Sequence, residues 1–158
     1  MIRGLGVDIV EIDRMARALQ RHPRMKERLF SEEERRYCDK RNKPEVHYAL
    51  RFAAKEAVLK ALGTGFAGMS FRDVEVVRDG GGRPSPRLSG RAAEVAEATG
   101  VVEMHLSLSY THTTAVASAV AITERDQSER VEDPARVRAR AFKDMRAIVD
   151  DAESDEDR

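Results

Sequence analysis

The sequence reads as a mixed α+β chain on three observations. A long run of helix formers ends in Gly63-Thr64-Gly65. Two runs with period-two patterning, His105 to Thr111 and Ala115 to Thr123, flank the polar stretch Thr111-His112-Thr113-Thr114. An N-terminal run rich in β-branched residues, Ile2 to Ile12, reads as a further strand.

Composition narrows the possibilities. A chain of 158 residues fits one domain with room for an appendage. Hydrophobic residues make up 41% but aromatics only 5%, without tryptophan, so the core must be built mainly from Ala, Val, Leu and Ile. The 28 basic and 28 acidic residues cancel, which gives no global charge suited to nucleic acid. Cys38 stands alone, which excludes an intramolecular disulfide and a thiolate-based structural zinc site; it reads as a small helix residue. Arg3, Asp8, Glu11 and Asp13 interrupt the N-terminal apolar stretch, against a signal peptide, and no run approaches the ~20 apolar residues of a membrane span. The expectation is a soluble, cytoplasmic protein with no membrane partner.

In the first strand, Gly4 and Gly6 point to a bulge or to close backbone approach. Asp8 interrupts the same apolar run. A buried, unpaired carboxylate is costly, so Asp8 must face solvent, pair with a base or bind a metal. Asp13 is placed to cap a helix from about Arg14 to Arg21. Arg14, Arg17, Arg21, Arg24 and Arg28 recur at helical spacing, forming either a solvated face or a positive ridge for an acidic partner.

Ser31 and Glu34 form a capping box for a helix to about Asp39. After the turn at Lys40 to Pro44, opened by Asn42 or Pro44, the long helix runs to Leu62. It carries Arg51 and Lys55 four apart, and Glu56 and Lys60 four apart, so each pair shares a face. Glu56 with Lys60 is either an ordinary surface ion pair or a carboxylate and an ammonium presented together beside a glycine loop.

Beyond Gly68, Val74, Val76 and Val77 mark a strand, and Arg87 and Leu88 begin the return strand of a hairpin. The glycines at Gly80 to Gly82 form its turn; no Gly-Lys-Ser/Thr follows, so they are not a phosphate loop. Gly90 to Thr99 is a small helix closed by Gly100. The hydroxyls and imidazole of Thr111 to Thr114 could hold a phosphate through neutral donors or simply form a polar hairpin tip. From Glu124 the composition turns charged: Gln127 to Asp133 is a linker, and a helix follows from Pro134 to about Val149.

Three separated segments carry a family pattern: Gly4-Leu5-Gly6-Val7-Asp8-Ile9-Val10-Glu11, the stretch from Arg51 to Gly65, and Leu108-Ser109-Tyr110-Thr111-His112-Thr113. Over about residues 1 to 124 the chain resembles holo-[acyl-carrier-protein] synthase, the short class of 4′-phosphopantetheinyl transferases. The resemblance implies an α+β fold, an antiparallel sheet with the long helix packed against it, with residues 125 to 158 as an extension bearing one extra C-terminal helix. It implies transfer of 4′-phosphopantetheine from coenzyme A to a serine of apo acyl carrier protein, with 3′,5′-ADP as the other product, a step in fatty acid biosynthesis. The alternative is a carrier-protein or coenzyme A binding module that keeps the fold without the chemistry.

The resemblance also assigns residues. Asp8 and Glu56 would hold Mg²⁺, a cation that suits one or two carboxylates plus phosphate oxygens. Glu56 and Lys60 are the catalytic candidates. The serine proton could pass to Glu56, to Lys60 if its surroundings lower its pKa, or to a water on the cation. Gly63, Thr64 and Gly65 would border coenzyme A. Arg51, Lys60, Ser109, Thr111, His112 and Thr113 would contact its phosphates. Arg14, supported by Arg21, Arg24 and Arg28, would dock the acidic carrier. A single copy of the motif set implies a homotrimer with sites between subunits. Tyr110 departs from the family pattern, which has a small aliphatic residue there.

Overall fold

The structure, a computed structural model, describes residues 1–63 and 68–124. Thr64, Gly65 and the extension from 125 to 158, with its expected helix, lie outside the described residues. The elements are β1 (Ile2–Glu11), α1 (Ile12–Arg21), α2 (Met25–Leu29), α3 (Glu32–Asp39), α4 (Pro44–Leu62), β2 (Val74–Arg78), β3 (Pro84–Leu88), α5 (Gly90–Ala98), β4 (Val101–Tyr110) and β5 (Thr114–Thr123). A short 3-10 turn at Phe71–Asp73 precedes β2.

The fold class is α+β, as the sequence indicates. The strands form two antiparallel sheets: a three-stranded one in the order β1-β5-β4, and the separate β2–β3 hairpin. β5 is central because it alternates small and branched residues. Ala115, Ala117, Ala119 and Ala121 are completely buried on the side facing the core with α4. Val116, Ser118, Val120 and Ile122 occupy the other side.

The alanines let α4 lie close to the sheet, and β1 comes closer still. A Cβ on Gly4 would stand 2.0 Å from the Ala61 carbonyl oxygen, and one on Gly6 would stand 1.9 Å from that of Ala57. Both readings of the glycines therefore hold, since the β1–β5 register also shifts between Ile2 and Gly4. α4 is buried on nearly every side, with 13 of its 19 residues inside, which makes it the central helix. Gly63 ends it at φ 77°, a left-handed cap that glycine adopts without cost.

Several boundaries differ from the sequence reading. α1 starts at Ile12, with Glu11 at the cap, so Asp13 lies in the first turn and caps nothing. Ile12 begins the helix because its N–H bonds the Thr113 carbonyl, a partner from the distant β4–β5 turn. The basic ridge is not one helix: the chain breaks at His22 to Arg24, where Pro23 cannot continue α1, and resumes as α2. β3 begins at Pro84 and ends at Leu88, where the return strand was expected to start. β4 extends back to Val101.

The capping box at Ser31 is present, but its glutamate does more than cap. Glu34 and Lys55 are both fully buried and pair at 2.7 Å. Glu34 also accepts from the N–H groups of Ser31 and Val76, each at 2.9 Å. Lys55 Nζ donates to the carbonyls of Phe71, at 3.0 Å, and Val74. Each polar group thus finds a partner, the condition under which a buried ion pair is tolerable. The network ties α3 and β2 to α4 on a face different from that of Glu56.

Candidate active site

Asp8 and Glu56 come from opposite layers. Asp8 pairs with Ala117 across the sheet, which turns its side chain toward α4. Its carboxylate meets Lys60, whose Nζ lies 2.7 Å from Asp8 Oδ1 and 3.0 Å from the Val7 carbonyl oxygen. The Lys60 side chain is 50% exposed and that of Asp8 only 17%, so the ion pair sits at the mouth of the site. Glu56 is half-buried, one turn before Lys60. Burial and then the Asp8 charge push the Glu56 carboxyl above its ordinary range, with Lys60 opposing. Two carboxylates thus share a partly desolvated place where their mutual repulsion is incompletely relieved.

The two acids line one cleft of about 550 Å³ with Glu11, Arg14, Met15 and Phe52. Arg14 from α1 therefore joins the carboxylates. A larger cavity of about 1030 Å³ lies alongside rather than at the acids, lined by Arg21, Arg24, Arg28 and apolar groups including Leu29, Met69 and Phe71. Met25 borders both spaces. The chemistry belongs to the smaller cleft, because only it contains the acids.

Arg51 lies elsewhere. Its face of α4 turns toward α3, where its guanidinium stacks 3.9 Å from the Tyr37 ring, and it is only 6% exposed. Among the described residues its Nε has no hydrogen-bond partner. Arg41 and Arg78 pack against the same ring, at 4.2 Å and 5.3 Å. Thr111, His112 and Thr113 form the exposed β4–β5 turn, in which Thr111 Oγ1 accepts from the Thr113 and Thr114 N–H groups. This turn sits at the Glu11 end of β1, three pairs along the ladder from Asp8. At about 3.4 Å per residue that is roughly 10 Å, so one chain does not close these groups around the acids. Ser109 points to the outer sheet face, in the row of Ile9 and Val116.

Sequence reasoning gave Phe52, Met15 and Met25 no part in the site, reading Met15 only as part of the apolar stripe of the first helix; their place as walls of the cleft shows only after folding. It also read Lys40-Arg41-Asn42-Lys43 as a turn. Folded, these residues line a pocket of about 370 Å³ with His47 and Tyr110. The density of positive charge in that run was the available signal.

Among the described residues there is no cluster of three or more His, Cys, Asp or Glu able to hold a metal unaided. The pair that is present suits a different kind of ion. Magnesium takes one or two carboxylates and fills its remaining positions with phosphate oxygens and water. The lysine drawn onto Asp8, and the part of the Glu56 rise that comes from the Asp8 charge after burial, mark a place that favours positive charge.

Comparisons with known proteins place the chain in a family. A family model described as the 4′-phosphopantetheinyl transferase superfamily matches residues 4–118. A holo-[acyl-carrier-protein] synthase of Alkaliphilus metalliredigens is 48% identical over 122 residues, 77% of this chain and 99% of that one. The crystal structure of the Neisseria meningitidis synthase superposes with TM-score 0.71 at 35% identity, covering 78% of this chain and all of that one. A coenzyme A complex of the enzyme from Chronobacterium ammoniagenes gives TM-score 0.67 at 35% identity, over 77% of this chain and 98% of that one. The chain belongs to the 4′-phosphopantetheinyl transferase superfamily and is an enzyme of its holo-[acyl-carrier-protein] synthase group.

Proposed function

We propose that this chain transfers the 4′-phosphopantetheine group of coenzyme A to a serine hydroxyl of an apo acyl carrier protein, with Mg²⁺ bound by Asp8 and Glu56. The observation that carries this is the cleft in which an acid from β1 and an acid from α4 meet, with Lys60 at one side and Arg14 at another. When bound, the cation supplies charge neutralisation on the donor pyrophosphate. In the reaction the serine Oγ–P bond forms as the bond between that phosphorus and the bridging oxygen breaks, releasing 3′,5′-ADP. The serine proton leaves, and the departing oxygen carries the negative charge.

The protein's part is to place these groups and stabilise that charge. Asp8 and Glu56 are held on rigid elements, a central helix and a strand locked to it by Gly4 and Gly6. Lys60 is half-exposed and can turn from Asp8 to a phosphate oxygen. Glu56, one turn from Lys60 and lining the cleft where the serine would enter, is the residue assigned to take the serine proton. Gly63, at the end of α4, and the Thr64 and Gly65 that follow it in sequence are assigned to coenzyme A. By the family resemblance Arg51, Ser109, Thr111, His112 and Thr113 are assigned to the donor's phosphates; within one chain Arg51 is covered by Tyr37 and Ser109 faces away from the acids, so these contacts would be made to a donor held by a neighbouring copy.

Arg14 in the acid cleft, with Arg21, Arg24 and Arg28 around the adjoining cavity, forms the docking surface for an acidic carrier. Positive charge beside an apolar floor suits a carrier helix with acidic edges and an apolar stripe. The assembly is a homotrimer. The outer face of the β1-β5-β4 sheet exposes Leu5, Val7 and Ile9, an apolar strip that a neighbouring copy would cover. Such packing would also supply the β4–β5 turn of one copy to the acids of another. Residues 1 to 124 form the transferase unit, with 125 to 158 appended. No helix among the described residues is long and apolar enough to cross a membrane, and a cytoplasmic role in lipid synthesis fits the proposed substrates.

The test is mass spectrometry of an apo carrier incubated with coenzyme A, Mg²⁺ and this protein. Carrier gaining the phosphopantetheine mass is expected, with the gain abolished by EDTA and largely lost in Asp8→Asn and Glu56→Gln. No gain on any of several carriers would leave a binding module as the better reading.

A further inference from the structure

The basic pocket at the start of α4 contains an aromatic ring to which the chemistry above gives no task. Tyr110 ends β4 and pairs with Ala115, on the same side of the sheet as Leu108, the side that faces α4. Leu108 packs into the core, but Tyr110 stands at the level where α4 only begins. Its ring clears the packed interior and is 57% exposed. The other large apolar residues with comparable exposure, such as Leu5 and Ile9, lie on the outer sheet face. Tyr110 therefore has a different environment.

That environment is strongly positive. Lys40, Arg41 and Lys43 line the pocket with Asn42, Val46 and His47, and no carboxylate is among the described residues lining it. The N-terminus of the 19-residue α4 adds the positive end of its dipole. Burial, and then the charges of Arg41, Arg51 and Arg78, hold His47 below its ordinary range, so its ring is kept neutral among cations. A pocket of about 370 Å³ with cations on one wall and a half-exposed ring on another suits an anion that also carries a flat group. An adenine nucleotide has both.

We propose that Tyr110 is a donor-recognition residue, its ring stacking on the adenine of the nucleotide part of the donor while Lys40, Arg41 and Lys43 face the phosphates. The proposal rests on the coenzyme A reading given above. It makes Tyr110 a determinant of affinity for the base, in a position where a small aliphatic side chain could offer only edge contact. Aromatic stacking of this kind discriminates ring from no ring and is largely indifferent to the hydroxyl, because the face of the ring makes the contact.

Isothermal titration of the full chain with adenosine 3′,5′-bisphosphate tests this. Tyr110→Leu should weaken binding by about five- to a hundredfold, the range seen when a stacking aromatic is removed, while Tyr110→Phe stays close to wild type. Inorganic pyrophosphate, which lacks the ring, should bind both variants as it binds the wild type. A second readout does not depend on the leucine variant folding. The chain has three tyrosines and no tryptophan, so tyrosine emission is unobscured. Tyr48 is fully buried and Tyr37 is covered by guanidinium groups, which leaves Tyr110 as the reporter. The bisphosphate should quench wild-type emission and leave that of Tyr110→Phe unchanged. If the wild type binds the bisphosphate and Tyr110→Leu binds it equally well, the stacking role is wrong and the donor reading stands. An equal quench in wild type and Tyr110→Phe would also overturn it. If the wild type does not bind the bisphosphate, both readings fall.

Discussion

Lys60 Nζ stands 2.7 Å from Asp8 Oδ1, so the lysine crosses from α4 to β1 instead of closing an intrahelical pair with Glu56. In this arrangement its ammonium occupies charge space beside Asp8 that a divalent cation would take. Lysine and cation should therefore compete. Lys60→Met should bind Mn²⁺, measured by electron paramagnetic resonance without coenzyme A, up to about fivefold more tightly, the range for a half-exposed ion pair. Transfer should nevertheless slow in the same variant. Unchanged or weaker Mn²⁺ binding would show that the lysine does not guard the site.

Gly6 allows the two acids to meet, because its missing Cβ lets β1 lie against the Ala57 carbonyl. Gly6→Ala would place a methyl 1.9 Å from that oxygen, a contact only backbone movement can relieve. A loss of about 1–3 kcal/mol in urea unfolding is expected from such overpacking. Any folded Gly6→Ala protein should also bind Mn²⁺ less well than wild type, since β1 must shift away from α4 to admit the methyl. Wild-type metal affinity with reduced stability would separate fold from site.

The Glu34–Lys55 pair offers a different kind of test, since neither side chain reaches solvent. Burial draws Lys55 below the ordinary lysine range, and Glu34 opposes that effect. Lys55→Met leaves a carboxylate buried without its cation and should cost about 3–5 kcal/mol. The double variant Glu34→Leu/Lys55→Met should be less destabilised than the sum of the two single changes. Recovery will be incomplete, because the Ser31 and Val76 N–H groups lose their acceptor. Additive losses in denaturant melts would mean the two residues act independently.

The outer sheet face predicts the assembly. Val7 is 47% exposed between the more exposed Leu5 and Ile9. If the proposed trimer uses this face, Val7→Lys should give smaller species by light scattering, and transfer activity should fall with them, because in that proposal the β4–β5 turn completes a neighbour's site. A Val7→Lys protein that remains trimeric would remove this face as the interface.

Local signals in the chain determined much of this. The helix formers up to Leu62, the cap at Gly63, the Ser31–Glu34 box and the alternation in β5 each act within a few residues, so linear order carries them. The motifs around Asp8, Glu56 and Lys60 were legible for the same reason, with the family resemblance joining them. Only the tertiary structure decided which charges meet. Lys55 and Lys60 lie five residues apart on one good helix, yet one is sealed in the core with Glu34 and the other reaches Asp8 at the surface. Helix periodicity says that they point in different directions, but not what waits there. Pairing energy depends on distance and burial, and both are set by where β1, α3 and β2 pack against α4. The same holds for Arg14, which shares a cleft with the acids only because the β4–β5 turn fixes the start of α1 through the Ile12 N–H.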